Sequence, residues 1–179
     1  MPEQVLLLRG INLGPRRRIG MPELRELLTH GGYGDPRTYV QSGNVVLSSK
    51  EPSEQLARTS ERLISERFGF DVDVLVRTRD ELSEIVERNP LGDVATNPKR
   101  YQVSFLSEEP DPELIEALAA MAAPPERFVA IGRELYAWHP DGVARSKLWA
   151  KLAGQGLGVT ATARNWTTVT TLLAMAEGR

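Results

Sequence analysis

The sequence contains no cysteine, only two histidines and four lysines, and no long hydrophobic run. Without cysteine the chain has no disulfide framework, no thiolate nucleophile and no cysteine-ligated metal. His30 and His139 are far apart and have no partner at ligand spacing, so we expect no metal site. No apolar stretch approaches the roughly 18 residues of a membrane helix, and the first residues show no signal-peptide pattern. We therefore expect a cytoplasmic protein that does not bind membranes.

The charge balance disfavours one class of partner. The formal net charge is −2, whereas a protein that coats nucleic acid non-specifically needs a broad basic face. Hydrophobic residues make up 41% of the chain and charged residues 26%, which is typical of globular proteins. A length of 179 residues is enough for one domain or for two small halves.

The order of hydrophobic patterns predicts an α+β fold. Strands are predicted at 5–8, 38–40, 45–47, 72–76, 101–106, 128–131 and 135–138. Helices are predicted at about 21–30, after Pro52-Ser53, at about 80–88, from 112, near 146–153 and at about 165–176. This order indicates two ferredoxin-like halves of the β-α-β-β-α-β type, with an additional C-terminal helix. We place the first half at residues 1–88, a linker loop at 89–100 and the second half at 101–179.

The predicted topology brings two polar segments together. In a β-α-β-β-α-β unit the first two strands are parallel and the third runs back between them. The end of the first strand and the turn between the second and third strands then lie at the same sheet edge. We therefore expect the loop at 9–20 to lie beside the turn Gln41-Ser42-Gly43-Asn44.

The loop at 9–20 is the clearest candidate for a binding site. It joins a strand to a helix and carries four arginines among residues 9–18, together with Gly10, Asn12 and Gly14. Backbone N–H groups and guanidinium groups in such a loop favour an anion. The spacing matches neither a Walker A motif nor Gly-x-Gly-x-x-Gly. The alternative is a solvated loop whose arginines pair with Glu23 or Glu26.

Two later segments place cations at predicted helix N-termini. Lys147 follows Arg145-Ser146, and Arg164 precedes Asn165-Trp166. The helix dipole disfavours a cation there by about 0.3–1 kcal/mol, so each is a candidate anion contact. A salt bridge is the alternative for Arg164, and Ser146 and Asn165 are also suited to be N-caps.

Catalytic groups are scarce in the sequence. His139 is the only histidine suited to acid–base chemistry, and we predict instead that it lies in a surface turn. Ser42 has no identifiable base, and the sequence shows no nucleophile–base pair and no metal cluster. The sequence predicts no particular reaction and no cofactor, and the question of an enzymatic activity stays open.

Several segments together resemble a known family. They are Leu8-Arg9-Gly10-Ile11-Asn12-Leu13-Gly14, the helix with Met21, Leu24 and Arg25, Thr38-Tyr39-Val40-Gln41-Ser42-Gly43-Asn44-Val45-Val46, Ser146-Lys147-Leu148 and Thr162-Ala163-Arg164-Asn165-Trp166-Thr167-Thr168-Val169. This combination resembles the bacterial domain-of-unknown-function 1697 family over nearly the whole chain. The resemblance implies ferredoxin-like halves and a cytoplasmic bacterial protein, and it implies no activity. A glycine often follows Gly14 in the family, whereas this chain has Pro15, which stiffens the loop.

Three functions remain open at this point. The first is a pocket between the two halves for a small anionic ligand such as a nucleotide, a sugar phosphate or a carboxylate. Its predicted ligand-binding residues are Arg9, Asn12, Gln41, Asn44, Lys147, Arg164 and Asn165. The second is binding of structured RNA, which the net charge and the scarcity of aromatic residues near the predicted hairpin disfavour. The third is a purely structural role, in which these motifs form buried hydrogen bonds.

Overall fold

A computed structural model describes residues 1–154 and 156–179 of the chain. The chain divides into two compact units, one formed by Met1–Glu84 with Thr171–Arg179 and the other by Ile85–Thr170. Each unit contains a four-stranded sheet and helices, and the structure thus has the predicted α+β class. The predicted domain limits at 88 and 101 stay a prediction.

The first unit has the predicted β-α-β-β-α-β order. Its elements are β1 (Glu3–Leu8), α1 (Met21–His30), β2 (Gly34–Tyr39), β3 (Asn44–Ser48), α2 (Ser53–Phe68) and β4 (Val74–Thr78). The strands lie in the order β2-β3-β1-β4 with every neighbouring pair antiparallel. Helix α1 has the predicted bounds, because Met21, Leu24 and Leu28 form its buried face and Gly31 caps its end.

Strand β2 begins earlier than its sequence predicts. Pro36 and Asp35 (φ 46°) interrupt the alternating pattern, and the pairing with β3 shifts register between Gly34 and Arg37. At the other end Val40 has φ 50° and belongs to the turn, not to the strand as we predicted. The pairing partner β3 therefore determines the length of this strand more than its own composition does.

The second unit repeats the order with different residues. After α3 (Arg79–Arg88), which begins in the first unit, and a single helical turn at Pro98–Arg100 come β5 (Tyr101–Leu106), α4 (Pro112–Met121), β6 (Arg127–Ile131), β7 (Glu134–Trp138), α5 (Lys147–Ala153) and β8 (Ala161–Asn165). The last helix is α6 (Trp166–Ala176), whose residues from Thr171 onwards belong to the first unit. The strands lie in the antiparallel order β6-β7-β5-β8, which is the order of the first sheet. The two units are thus both ferredoxin-like, and α6 is the additional helix.

Strand β8 was not predicted and changes the position of Arg164. The segment Ala161–Asn165 pairs with β5, with Arg164 opposite Val103. It contains mostly small and polar residues, so its own β-propensity is weak, and pairing with β5 accounts for the strand. Arg164 is thus a strand residue that directly precedes Asn165, the residue before α6, and its role as an anion contact stays a prediction.

Each unit has its own hydrophobic core. In the first, Leu6 and Val45 of the sheet pack with Leu24, Leu56 and Ile64 of its helices. In the second, Leu106 and Leu135 pack with Leu118 and Leu148. On α6 the predicted apolar stripe, Val169, Leu172, Leu173 and Ala176, is buried.

Candidate functional site

The arginine loop, residues 9–20, is anchored at two buried isoleucines. Ile11 and Ile19 are 1% and 2% exposed and belong to the core of the first unit, whereas the residues between them are largely exposed. Burial of one such side chain contributes about 1.5–3 kcal/mol. The two ends of the loop are therefore held in place while its tip projects into solvent.

Asn12 closes the loop on itself. Its side-chain amide donates to the Ile19 carbonyl oxygen (2.9 Å), and its side-chain oxygen accepts from the Ile19 N–H (2.9 Å). The Asn12 N–H also donates to the Arg17 carbonyl oxygen (3.0 Å). The backbone at Asn12 has φ 55°, a conformation that asparagine tolerates better than most residues. Asn12 thus shapes the loop, and its side chain already has protein partners.

The arginine loop lies beside the β2–β3 turn, as the topology predicts. The Asn12 amide also donates to the Gln41 carbonyl oxygen (2.7 Å), and the Leu8 N–H donates to the Gly43 carbonyl oxygen (2.8 Å). Gly43 has φ 92°, and a Cβ there would lie 2.7 Å from the Leu8 Cβ. Only glycine therefore fits where the turn meets the end of β1.

The arginines of the loop have different environments. Arg17 donates to the carbonyl oxygens of Gly10 (3.1 Å) and Asp71 (2.8 Å), and its guanidinium lies over the Phe70 ring. Arg18 donates to the Gly14 carbonyl oxygen (3.3 Å). Arg16 and Arg18 are exposed and Arg9 is half-buried. Arg17 therefore fastens the loop, while Arg16 and Arg18 present charge to solvent.

The side-chain carboxylate of Glu23 lies at the N-terminus of α1. An ideal Cβ at Gly20, the N-cap residue, would lie 1.7 Å from Glu23 Oε2. The Glu23 carboxylate thus lies against the first turn, where the partial positive charge of the helix favours an anion. An external anion would meet the loop at its arginines and not at this helix terminus.

The two polar residues of the turn have separate roles. Asn44 is fully buried, and its amide donates to the Tyr39 carbonyl oxygen (3.0 Å) and to Ser42 Oγ (3.0 Å). It holds the turn closed, as a hydrogen-bonded asparagine does in tight turns. Gln41 is exposed. Of these two residues, Gln41 has the side chain that is accessible to a ligand.

The remaining predicted site residues belong to α5 and β8, and Asn165, the last residue of β8, directly precedes α6. Lys147 is exposed at the first position of α5. Arg164 is 8% exposed and donates to Thr162 Oγ1 (2.7 Å) and to the Ala163 carbonyl oxygen (2.9 Å). Burial lowers the pKa of the Arg164 guanidinium to about 10, since desolvation disfavours the charged form. Asn165 Oδ1 accepts from the Thr168 N–H (2.9 Å) and so caps α6.

His139 is not a surface histidine, contrary to our prediction. Its side chain is fully buried, and its Nδ1 lies 2.6 Å from Glu126 Oε2. The same carboxylate oxygen accepts a hydrogen bond from Ser146 Oγ (2.5 Å). Sequence reasoning missed this cluster because 20 residues separate Glu126 from Ser146 and no motif links them.

Residues 1–154 and 156–179 contain neither a metal-binding cluster nor a helix that could span a membrane. No group of three or more His, Asp or Glu side chains is placed to hold a metal ion in this part of the chain. Among the same residues, no helix has both the length and the apolar character to cross a bilayer. The cytoplasmic location stays a prediction.

Comparison with known proteins identifies the fold and the family. A conserved bacterial protein from Streptococcus pneumoniae has a similar structure, with a TM-score of 0.79 and 21% sequence identity over 98% of each chain. This similarity supports the fold alone. Among curated proteins, none matches the chain. The model of the family described as "Protein of unknown function (DUF1697)" matches residues 1–136, and the chain therefore belongs to this family.

Proposed function

We propose that the protein binds a small anionic ligand at the arginine loop of the first unit. The observation that carries this proposal is the closure of the loop by Asn12, which holds the exposed Arg16 and Arg18 on a fixed backbone. A preformed site costs less conformational entropy on binding than a mobile loop. The ligand classes are those named above: a nucleotide, a sugar phosphate or a carboxylate.

The local charge supports an anion. Residues 4–22 contain four arginines and no acidic residue. Hydrogen bonds from a guanidinium to a phosphate or carboxylate are about twice as strong as those between neutral groups, and two parallel bonds form readily. The excess of positive charge on this segment therefore favours a ligand that carries at least one negative charge.

Exposed apolar side chains next to the loop favour a ligand that also has an apolar face. Leu13 is 85% exposed and Val40 is 50% exposed. Leu13 directly follows Asn12, and Val40 directly precedes Gln41, the two residues that the hydrogen bond joins. A nucleotide combines an anionic phosphate with a base that stacks on such groups. Within the three classes, the nucleotide fits this surface best.

The predicted residues then have different tasks. Arg9, Arg16, Arg18 and Gln41 are the proposed ligand contacts, and Asn12 and Asn44 hold the backbone that carries them. Lys147, Arg164 and Asn165 stay predicted contacts. Lys147 belongs to α5, whereas Arg164 and Asn165 are the last two residues of β8. Arg164 Nη1 and Asn165 Oδ1 already have hydrogen-bond partners within the protein.

A titration with matched variants tests the proposal. Thermal shift and calorimetry with ATP, glucose 6-phosphate, citrate and inorganic phosphate are compared for the wild type and an Arg16→Ala/Arg18→Ala variant. An Arg58→Ala/Arg62→Ala variant is the control, because it removes two exposed arginines from α2. Ligand-dependent stabilisation should be lost only in the loop variant. Equal stabilisation of all three proteins, or none with any compound, would contradict the proposal.

A further inference from the structure

A cleft in the second unit contains chemistry that the proposed function does not use. Its volume is about 500 Å³, and Glu126 and Ser146 form part of its wall. Pro124, Pro125 and Ala144 supply apolar lining, and Asp141 and Arg145 supply charge. A cavity of this size is within the usual range for small-molecule sites.

The hydroxyl of Ser146 is directed at a carboxylate. Ser146 Oγ donates to Glu126 Oε2 over 2.5 Å, and it accepts a hydrogen bond from the Trp149 N–H over 3.0 Å. A serine hydroxyl has one proton and two lone pairs. Its proton thus faces a base and the Trp149 N–H takes one lone pair, while His139 Nδ1 lies 3.4 Å from the same oxygen.

His139 fixes the orientation of that carboxylate. Its Nδ1 lies 2.6 Å from Glu126 Oε2 and 3.4 Å from Ser146 Oγ, and its ring packs edge-on against Trp149. Among the described residues, His139 Nε2 is buried without a hydrogen-bond partner. The imidazole therefore contacts the cluster through Nδ1, which lies within hydrogen-bond distance of the Glu126 carboxylate.

We propose that Ser146 is a nucleophile towards small carboxylic esters bound in this cleft, with Glu126 as its general base. An activated serine with a base within hydrogen-bond reach and a third group that orients the base is the arrangement of covalent acyl transfer. Here a carboxylate is the base and a histidine orients it. His139 is thus a positioning residue.

Protons and bonds balance through two steps. In the first, Ser146 Oγ bonds to the ester carbonyl carbon and its proton moves to Glu126. The carbon–oxygen bond to the alcohol then breaks, and Glu126 returns the proton to the leaving oxygen. In the second, water attacks the acyl-serine, its proton passes to Glu126 and then to Ser146 Oγ, and the carboxylic acid leaves.

The lining of the cleft selects an uncharged reacting group. Two carboxylates, of Glu126 and Asp141, face it against the single guanidinium of Arg145. These two carboxylates repel a phosphate dianion bound next to Ser146, because like charges repel each other. An ester is neutral, and a short acyl chain fits against the proline and alanine side chains.

The test uses p-nitrophenyl acetate and the whole protein. Release of p-nitrophenolate is followed by absorbance, and the acetylated residue is mapped by mass spectrometry. Wild type should show an acetyl group on Ser146 and none on Ser65, whose Oγ also donates to a carboxylate, that of Asp71, over 2.9 Å. Acetylation of Ser65 to the same extent as Ser146 would overturn the proposal.

Variants separate catalysis from folding. Ser146→Asn keeps an N-cap oxygen for α5 and removes the nucleophile, so acetylation there should vanish while the thermal melting curve stays cooperative. Glu126→Gln should slow acetylation by roughly 100-fold, the usual contribution of a general base. Unchanged p-nitrophenolate release by a folded Ser146→Asn or Glu126→Gln protein would refute the role.

His139 has a test of its own. His139→Asn places an amide donor near the position of Nδ1, whereas His139→Ala removes it. Acetylation of Ser146 should be restored in the asparagine variant relative to the alanine variant. Equal rates in these two variants and the wild type would show that His139 does not position Glu126.

Discussion

Asn12 and Gln41, 29 residues apart, are joined by a 2.7 Å hydrogen bond from the Asn12 side-chain amide to the Gln41 carbonyl oxygen. This bond links the loop after β1 to the turn between β2 and β3. At the same edge of the sheet, the Leu8 N–H donates a second, main-chain hydrogen bond to the Gly43 carbonyl oxygen. Two segments that look separate in the sequence thus form one surface.

Replacement of Asn12 by glycine should destabilise the first unit. Glycine tolerates the φ of 55°, so the change removes mainly the side-chain hydrogen bonds to Ile19 and Gln41. We expect a loss of about 1–3 kcal/mol in the free energy of unfolding, measured by urea denaturation. Arg16→Ala is the control and should change it by less than about 0.5 kcal/mol. Equal stability of both variants would contradict the role of Asn12.

Gly43→Ala should be more harmful than alanine at another glycine of positive φ. The new Cβ would lie 2.7 Å from the Leu8 Cβ, whereas at Gly132, with φ 58°, nothing lies within 4 Å. Backbone strain of about 1–2 kcal/mol affects both variants, and the clash affects only Gly43→Ala. The melting temperature of Gly43→Ala should therefore fall further than that of Gly132→Ala. The reverse order would argue against close packing of the turn on β1.

Variants of Asn165 test whether its side chain caps α6 or serves a ligand. Asn165→Ala removes the cap on the Thr168 N–H and should cost about 1 kcal/mol of stability, while Asn165→Asp keeps the cap. Urea denaturation of the two variants without any ligand measures this difference. If Asn165→Ala is as stable as wild type, the side chain is not needed as a cap, and its prediction as a ligand contact gains support.

Tyr101 makes the free energy of unfolding depend on pH in the alkaline range. Burial raises the pKa of Tyr101 to about 12 from its ordinary value of 10.0. Between these values the unfolded chain releases the phenol proton and the folded chain keeps it. The stabilisation is thus complete below pH 10 and is lost as pH rises towards 12. It amounts to about 2–3 kcal/mol for two pKa units.

Tyr101→Phe should flatten that dependence. Phenylalanine keeps the ring that stacks on Trp166 at 4.8 Å but has no proton to release. The free energy of unfolding, measured by urea denaturation at several pH values between 9 and about 11, should fall less steeply in the variant. Parallel curves for the two proteins would show that Tyr101 ionises normally in the fold.

Local chemistry in the sequence determined much of the fold. Helix α1 has the predicted bounds because its apolar spacing, Pro22 and Gly31 act within a few residues of each other. The N-caps Asp111, Ser146 and Asn165 also depend on bonds to residues two or three positions away. The order of elements then sufficed for the β-α-β-β-α-β topology, since that unit has few permitted connections.

Tertiary structure alone decided the environments of the chemical groups. Strand β8 forms by pairing with β5, although its small residues give little local signal, and this pairing buries Arg164. His139 follows a strand and precedes a proline, as many surface residues do, yet it is buried against Glu126 and Trp149. Burial and long-range hydrogen bonds depend on partners far along the chain, which neither periodicity nor spacing encodes. For the same physical reason the sequence located the arginine loop but could not join Ser146 to Glu126.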